Sequence, residues 1–347
     1  MTRLLSLAVV AIALACTLAV PSPAEEPQAA ALRPILAGGD SYNILALPTN
    51  GTCLSLDEKI APVVKEWKDL IAVDAGYYHV IGLKRDGTCV STINVPGMKE
   101  GTKYAWTNVS SWKDIVAVSG GHRHSVGLRA DGTVVTAGVN PVDAKKIGQW
   151  TDIVAVSAGV NFTVGVKRDG TCVAVGTNEQ GQCEVADWKD IVAVAAGGNH
   201  TIGLKSNGTV VATVCTPTTP AQREVNERAP VKVDGWTNVI DIDASNWHYV
   251  GLRADGTIFY VCKYIPQGEI KWTDIVAIGC GETTVFGMKS DGSVMATGKY
   301  INKTTSPVIG RWNLGTVSTV KVPRVPKGRS YKEPWPPAGK GAAASAQ

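Results

Sequence analysis

The body of this sequence has no surplus of positive charge. Only 18% of its 347 residues are charged, and the formal net charge is +4. Residues 319–347 carry Lys321, Arg324, Lys327, Arg329, Lys332 and Lys340 against Glu333, which concentrates +5 at the end, and Arg3 adds one near the start. Residues 25–318 are left with −2, so the basic footprint of a nucleic-acid binder is missing from them. Phe is scarce, at 3 residues, yet 44% of the chain is hydrophobic, which excludes disorder along its whole length. The 37 Gly have no period of three, and Leu, Glu and Ala do not dominate, so collagen and coiled coils are excluded as well. There is no CxxC pair to suggest zinc, no Gly-x-Ser-x-Gly elbow and no phosphate-cradling loop. Single Asp-Gly pairs lack the clustered oxygens that calcium needs. No catalytic residue, metal or cofactor is therefore expected, and the chain reads as a non-enzyme.

Residues 1–24 read as a secretory signal: Arg3, an apolar run from Leu4 to Val20, then Ser22-Pro23-Ala24 before Glu25. The run is too short and too weakly flanked for a secure membrane span. Ala13-Leu14-Ala15-Cys16 resembles a lipoprotein processing site poorly, because Leu is wanted at Ala13 and a smaller residue at Leu14. Export to the medium or cell envelope is expected, with lipidation at Cys16 the alternative. Residues 25–36 form a linker. Residues 323–347, with five Pro and a Gly-Ala-Ser end, form a basic, disordered or extended tail. Cys53, Cys89 and Cys172 each follow a Gly-Thr pair and read as buried thiols.

What the chain does have is one unit written seven times. The turn pairs Asn50-Gly51, Asp86-Gly87, Asp131-Gly132, Asp169-Gly170, Asn207-Gly208, Asp255-Gly256 and Asp291-Gly292 recur at intervals of 36 to 48 residues. Such pairs suit two-residue type I′ hairpins, with positive φ at both central residues. Each lies between short β-branched runs, as in WKDIVAV, SGGHRH, SVGLR, ADG and TVVTAG of residues 112–138. Trp67, Trp112, Trp150, Trp188, Trp236, Trp272 and Trp312 open the units. An Asp or Asn two residues after each of the first six is placed to hydrogen-bond the turn backbone. No stretch has convincing helical periodicity. Units of about 40 residues with several short strands predict an all-β, seven-bladed β-propeller over residues 37–322. The first unit lacks its Trp, so the ring is expected to close by pairing the Ile35 segment with the strand of residues 316–322.

The pattern IVAVSGGHRHSVGLRADGTVVTAG resembles the regulator of chromosome condensation repeat in its short bacterial form, and GTNEQGQCEVADW (residues 176–188) matches that family's Gly-x-Asn-x-x-Gly-Gln segment. The resemblance covers roughly residues 37–320 and implies the propeller fold. The family's nuclear member is a nucleotide exchange factor on chromatin, an activity that a signal peptide and an uncharged body argue against. Exported seven-bladed members of the family include a proteinaceous β-lactamase inhibitor, whose inhibitory face is formed by loop aromatics and acids.

Four His (His79, His124, His200 and His248) lie twelve residues after a repeat Trp, in a register that Asn43, Phe162 and Thr284 also hold. One residue per blade reads as a structural ring bonded to backbone rather than a ligand cluster, and no partner repeats beside it. The variable positions are two-residue loops between the Gly-rich bend and this register: Ser41-Tyr42, Tyr77-Tyr78, His122-Arg123, Val160-Asn161, Gly198-Asn199, Asn246-Trp247 and Glu282-Thr283. Sharing one repeat position, they are expected on one face around the channel. Tyr42, Tyr77, Tyr78, His122, Arg123, Asn161, Asn199, Asn246, Trp247, Glu282 and Thr283 are the candidate partner-binding residues, with Trp247, Tyr77 and Tyr78 dominant. The expected partner is an extracellular or envelope protein, such as an enzyme it inhibits, with the chain a monomer and nucleic acid excluded. A carbohydrate-binding propeller that stacks sugars on the same rings is the alternative.

Overall fold

The computed structural model describes residues 35–38, 44–48, 51–55, 60–93, 104–213, 233–246, 248–262, 270–281 and 284–298. The leader 1–24, the tail 323–347 and the proposed closing strand 316–322 lie outside the described residues. Among the described residues, twenty-one strands form seven three-stranded antiparallel sheets, each made from three strands consecutive in sequence. The chain is therefore the all-β, seven-bladed arrangement that the repeat predicts.

The inner strands of blades 1 to 7 are Ile35–Gly38, Leu70–Ala75, Ile115–Gly120, Ile153–Ala158, Ile191–Ala196, Val239–Ala244 and Ile275–Cys280. Each touches the inner strand of the next blade, and that of blade 7 touches that of blade 1. Ala46 of blade 1 shares a core cluster with Phe286, Met288 and Val294 of blade 7, so the circuit of sheets returns to its start. The first strand begins at Ile35, two residues ahead of the expected boundary, because Ile35 already pairs with Leu47.

The third blade shows the logic of the unit. Inner Ile115–Gly120 pairs with middle Ser125–Arg129, which pairs with outer Val134–Ala137. Trp112 comes before the inner strand and lies over the middle one. A Cβ on Gly127 would come within 2.8 Å of its ring, and Gly82, Gly165, Gly203, Gly251 and Gly287 meet Trp67, Trp150, Trp188, Trp236 and Trp272 in the same way. The Gly in each middle strand thus makes room for the opening Trp of its own blade.

Two turns differ from the sequence expectation. At the Asp-Gly pairs only Gly has positive φ, as at Gly132 (82°), while Asp131 does not. Gly132 N–H donates to Arg129 O at 3.0 Å and Arg129 N–H to Thr133 O at 2.9 Å, which makes a three-residue turn ending in a left-handed Gly rather than a type I′ turn. The Asp131 carboxylate selects it, accepting from both Thr133 N–H (2.9 Å) and Thr133 Oγ1–H (2.7 Å). The second difference concerns the residue two after each Trp. Asp69, Asp114, Asp152, Asp190, Asn238 and Asp274 are themselves left-handed, with φ of 56–63°. The next residue's N–H then reaches the preceding blade, as Ile115 N–H donates to Gly87 O at 3.1 Å, while Asp114 O accepts Ala130 N–H at 2.9 Å. It is the backbone of these residues that joins blade to blade. Asp and Asn are the side chains that tolerate this region best. Replacing Asp114 by Val should therefore destabilise the protein by about 1–2 kcal/mol in urea unfolding, while Asp114→Asn should leave it unchanged. Equal losses would mean the carboxylate, not φ, matters.

Two short α-helices, Ala61–Lys65 and Pro141–Ile147, occur among the described residues where no helical periodicity is read from the sequence. Neither is long enough to show periodicity. The second is built on local signals: Asn140 caps Asp143 N–H at 3.0 Å, Pro141 stands at the first turn, and Lys145 and Lys146 stand at the last. Cys53, Cys89 and Cys172 are buried free thiols, each pushed up to about 12 chiefly by burial.

Candidate functional site

The inner strands of blades 2 to 7 each end in a bend closed by a backbone bond. Gly76 N–H donates to His79 O, Gly121 to His124, Gly159 to Phe162, Gly197 to His200, Ser245 to His248 and Gly281 to Thr284. Neighbouring bends are then tied together. Tyr77 N–H donates to Gly121 O, His122 N–H to Gly159 O and Val160 N–H to Gly197 O, each at 3.2 Å. Below them, side chains of one inner strand reach the backbone of the next. Asp74 accepts Gly120 N–H (2.8 Å), Ser119 accepts Ala158 N–H (3.1 Å), Ser157 accepts Ala196 N–H (2.9 Å) and Asp243 accepts Cys280 N–H (2.7 Å). The loops are held by a double layer of inter-blade hydrogen bonds, so what they carry is presented rigidly.

The register histidines form a buried layer behind the bends. His79 Nε2 lies 2.7 Å from Ser125 Oγ, and His124 Nε2 lies 3.2 Å from Thr163 Oγ1, in each case across the gap to the next blade. The Ser125 hydroxyl hydrogen is used by Trp106 O at 2.7 Å, so His79 Nε2 is the donor to Ser125. His200 packs edge-on against Tyr249 of the next blade, 4.1 Å between centroids. Burial pushes His79 and His200 down to about 3 and His124 and His248 to about 4. The layer is structural, as its register suggests. Its partners come from the neighbouring blade rather than from backbone alone, and that pairing is invisible along the sequence.

In front of the bends, Tyr77, His122, Val160 and Asn246 line one cavity of about 60 Å³ together with Gly121, Gly159, Gly197 and Ser245. On its rim, three rings from two blades pack together: Tyr77 and Tyr78 at 4.6 Å, Tyr77 and His122 at 4.5 Å, Tyr78 and His122 at 4.9 Å between centroids. The exposed Arg123 places its Cζ 5.0 Å from the centre of the Tyr78 ring. This cluster is aromatic and cationic, held by locked backbone, and suited to burying apolar area against a partner.

A family model for the regulator of chromosome condensation (RCC1) repeat matches residues 153–182 and 191–213, which fall in blades 4 and 5. Two of the seven blades thus carry a recognisable RCC1 repeat. The fold is shared by solved structures, among them these three. The ectodomain of the receptor kinase CR4 from Physcomitrella patens is 18% identical, with a TM-score of 0.59 over 78% of this chain and 76% of that one. The CRINKLY WD40 ectodomain of the receptor kinase ACR4 from Arabidopsis thaliana is 17% identical, with a TM-score of 0.53 over 77% and 97%. Prp20p from Saccharomyces cerevisiae is 15% identical, with a TM-score of 0.51 over 79% and 84%. Comparison with curated proteins gives no match.

In blades 2 and 3, ahead of the matched residues, the structure brings Tyr77, Tyr78, His122 and Arg123 into one patch. Asn246 lies on the same cavity, and Asn199 is half-buried beside it in the sequence of bends. Asn161 is exposed on the loop that donates through Val160. Tyr42, Trp247, Glu282 and Thr283 lie outside the described residues. Sequence reading placed Arg123 among the candidate residues but did not join it to Tyr78, which is 45 residues earlier in the chain. Sequence reading also missed Tyr104 and Trp106, whose rings stack at 4.8 Å. A Cβ on Gly138 would meet both Trp106 and the carbonyl of Arg123, so this second aromatic pair borders the bend of blade 3. Trp106 falls outside the Trp register, which was the one sequence signal available.

Proposed function

We propose that this chain is an exported, non-enzymatic protein-binding propeller whose partner docks on the face formed by the bend loops. The observation that carries this reading is the Tyr77–Tyr78–His122–Arg123 patch. Residues from two blades form a contiguous surface of the types that dominate binding hot spots, on loops fixed by inter-blade bonds. The structure of Prp20p, which shares the fold, is described with its binding to Gsp1p and histones, so a propeller of this shape serves as a protein-binding platform elsewhere. Inhibition of an extracellular enzyme such as a β-lactamase is the form of this function that the similarity to exported seven-bladed propellers suggests. A sugar-stacking role has less support, because Arg123 covers a face of the Tyr78 ring that a sugar would need.

The test is capture of partners from culture supernatant and cell envelope by the wild type and by the Tyr77→Ala/Tyr78→Ala double variant, followed by affinity measurement. The double variant should keep the wild-type melting temperature within a few degrees and lose at least about 2 kcal/mol of affinity. A partner bound equally well by both would place the working face elsewhere.

A further inference from the structure

The chain stacks an Arg on an aromatic ring twice among the described residues, and the two stacks differ in one respect. Arg253 lies over Phe259, with Cζ 5.2 Å from the ring centre. Its Nη1 is closed by the Asp255 carboxylate at 3.1 Å and by Thr257 Oγ1, also at 3.1 Å. Arg123 lies over Tyr78 at nearly the same height, 5.0 Å. No carboxylate pairs with it among the described residues, where the ion pairs are Lys146–Asp143 and Arg253–Asp255. The stack orients the guanidinium and limits its rotamers, and Arg is the side chain whose planar fork matches a carboxylate.

The surroundings select the same ligand. The described bend loops of blades 2 to 6 carry Tyr77, Tyr78, His122, Val160, Asn161, Asn199 and Asn246 beside this Arg's own loop, and no Asp or Glu. A negative group approaching here meets a cation and neutral donors, with no repulsive carboxylate in these loops. Arg123 is exposed, so a carboxylate alone would gain too little against water and salt to stay. It must arrive with apolar area that covers the tyrosines.

We propose that Arg123 receives an Asp or Glu side chain of a partner protein, presented beside an apolar or aromatic residue that packs on Tyr77 and Tyr78. The external carboxylate takes the place at Arg123 that Asp255 takes at Arg253. This rests on the reading of the bend face as the docking surface. The identity of the charge is a separate matter from the existence of the face.

The experiment selects a displayed library of random twelve-residue peptides on the full chain and, in parallel, on Arg123→Gln and Tyr77→Ala/Tyr78→Ala. Unchanged melting of Arg123→Gln shows that the exposed substitution leaves the fold intact. Peptides enriched on the wild type should carry Asp or Glu next to an aromatic or aliphatic residue. Their binding should fall about tenfold on Arg123→Gln, fall equally when the peptide acid is changed to its amide, and weaken in 0.5 M salt. Peptides that need Tyr77 and Tyr78 but ignore both Arg123→Gln and the amide change would overturn the carboxylate proposal and leave the docking face standing. Enriched peptides that bind the double tyrosine variant as well as the wild type would overturn the face and the proposal together. Failure to enrich acidic peptides on the wild type over Arg123→Gln would also overturn it.

Discussion

Between pH 7 and pH 5 the protein should lose roughly 3–5 kcal/mol of stability, seen as a fall of about 10 °C in melting temperature. The cause is the histidine layer. Each of His79, His124, His200 and His248 has an ordinary value of 6.5 and a folded value of about 3 or 4, lowered by burial between the blades. The unfolded chain binds these four protons as the pH drops through 6.5, and the folded chain does not. Stability is therefore present above about 6.5 and is lost as the pH falls, at about 1.4 kcal/mol per pH unit for each proton. Asp243 acts in the opposite sense. Burial raises its carboxyl from 3.8 to about 8, so between those values it holds a proton when folded and releases it on unfolding, which adds stability as the pH falls. Asp74 is also raised by burial and opposes the histidines in the same direction. The net uptake on unfolding near pH 5 is about three protons, four from histidine less the one held by Asp243, and Asp74 lowers it further.

Variants separate the contributions. Phe162 occupies the histidine register in blade 4 and is fully packed, so the site accepts an aromatic ring without a nitrogen. His124→Phe should lose at most about 1 kcal/mol at pH 7, for the bond to Thr163, and should regain about 2 kcal/mol relative to the wild type by pH 5. Asp243→Asn should steepen the acid loss. A melting temperature that stays level from pH 7 to pH 5 would show that the histidines are not held neutral.

The other large effect is expected at a bend glycine. Gly121→Ala should destabilise the protein by about 3 kcal/mol or more, lowering the melting temperature by roughly 6–10 °C. A Cβ there would stand 2.5 Å from Gly159 O and 2.6 Å from His124 Nδ1. Neither neighbour is a loose end. Gly159 O is held by His122 N–H, and the His124 ring is buried and bonded to Thr163. Gly148→Ala is the control: the residue has φ of −62° at a helix end, and its Cβ would come no nearer than 3.2 Å to Ala144 O. It should change stability by less than about 0.5 kcal/mol. Similar losses at Gly121 and Gly148 would show that the bend has room to spare.

The sequence by itself determined the number of blades and where each begins and turns. Asp-Gly turns, opening Trp residues and β-branched runs are local signals, and a blade is a local structure whose three strands follow one another in the chain. The lining of one cavity by bend residues of blades 2, 3, 4 and 6 follows the same logic, since equal places in equal units fall at equal heights. The type of turn was less legible, because Asp-Gly serves both a two-residue turn and a three-residue one, and the Thr that decides between them acts through a bond to a side chain. What only the tertiary structure decided lies across the gaps between blades. The left-handed Asp114 meets Gly87, His79 meets Ser125, Asp74 meets Gly120, and Arg123 rests on Tyr78 from the blade before. Each of these pairs is 27 to 46 residues apart, and which residue faces which depends on how far each sheet is twisted and rotated against the next. That rotation is fixed by the packing of the whole circuit, including blade 7 against blade 1, so no single repeat contains it.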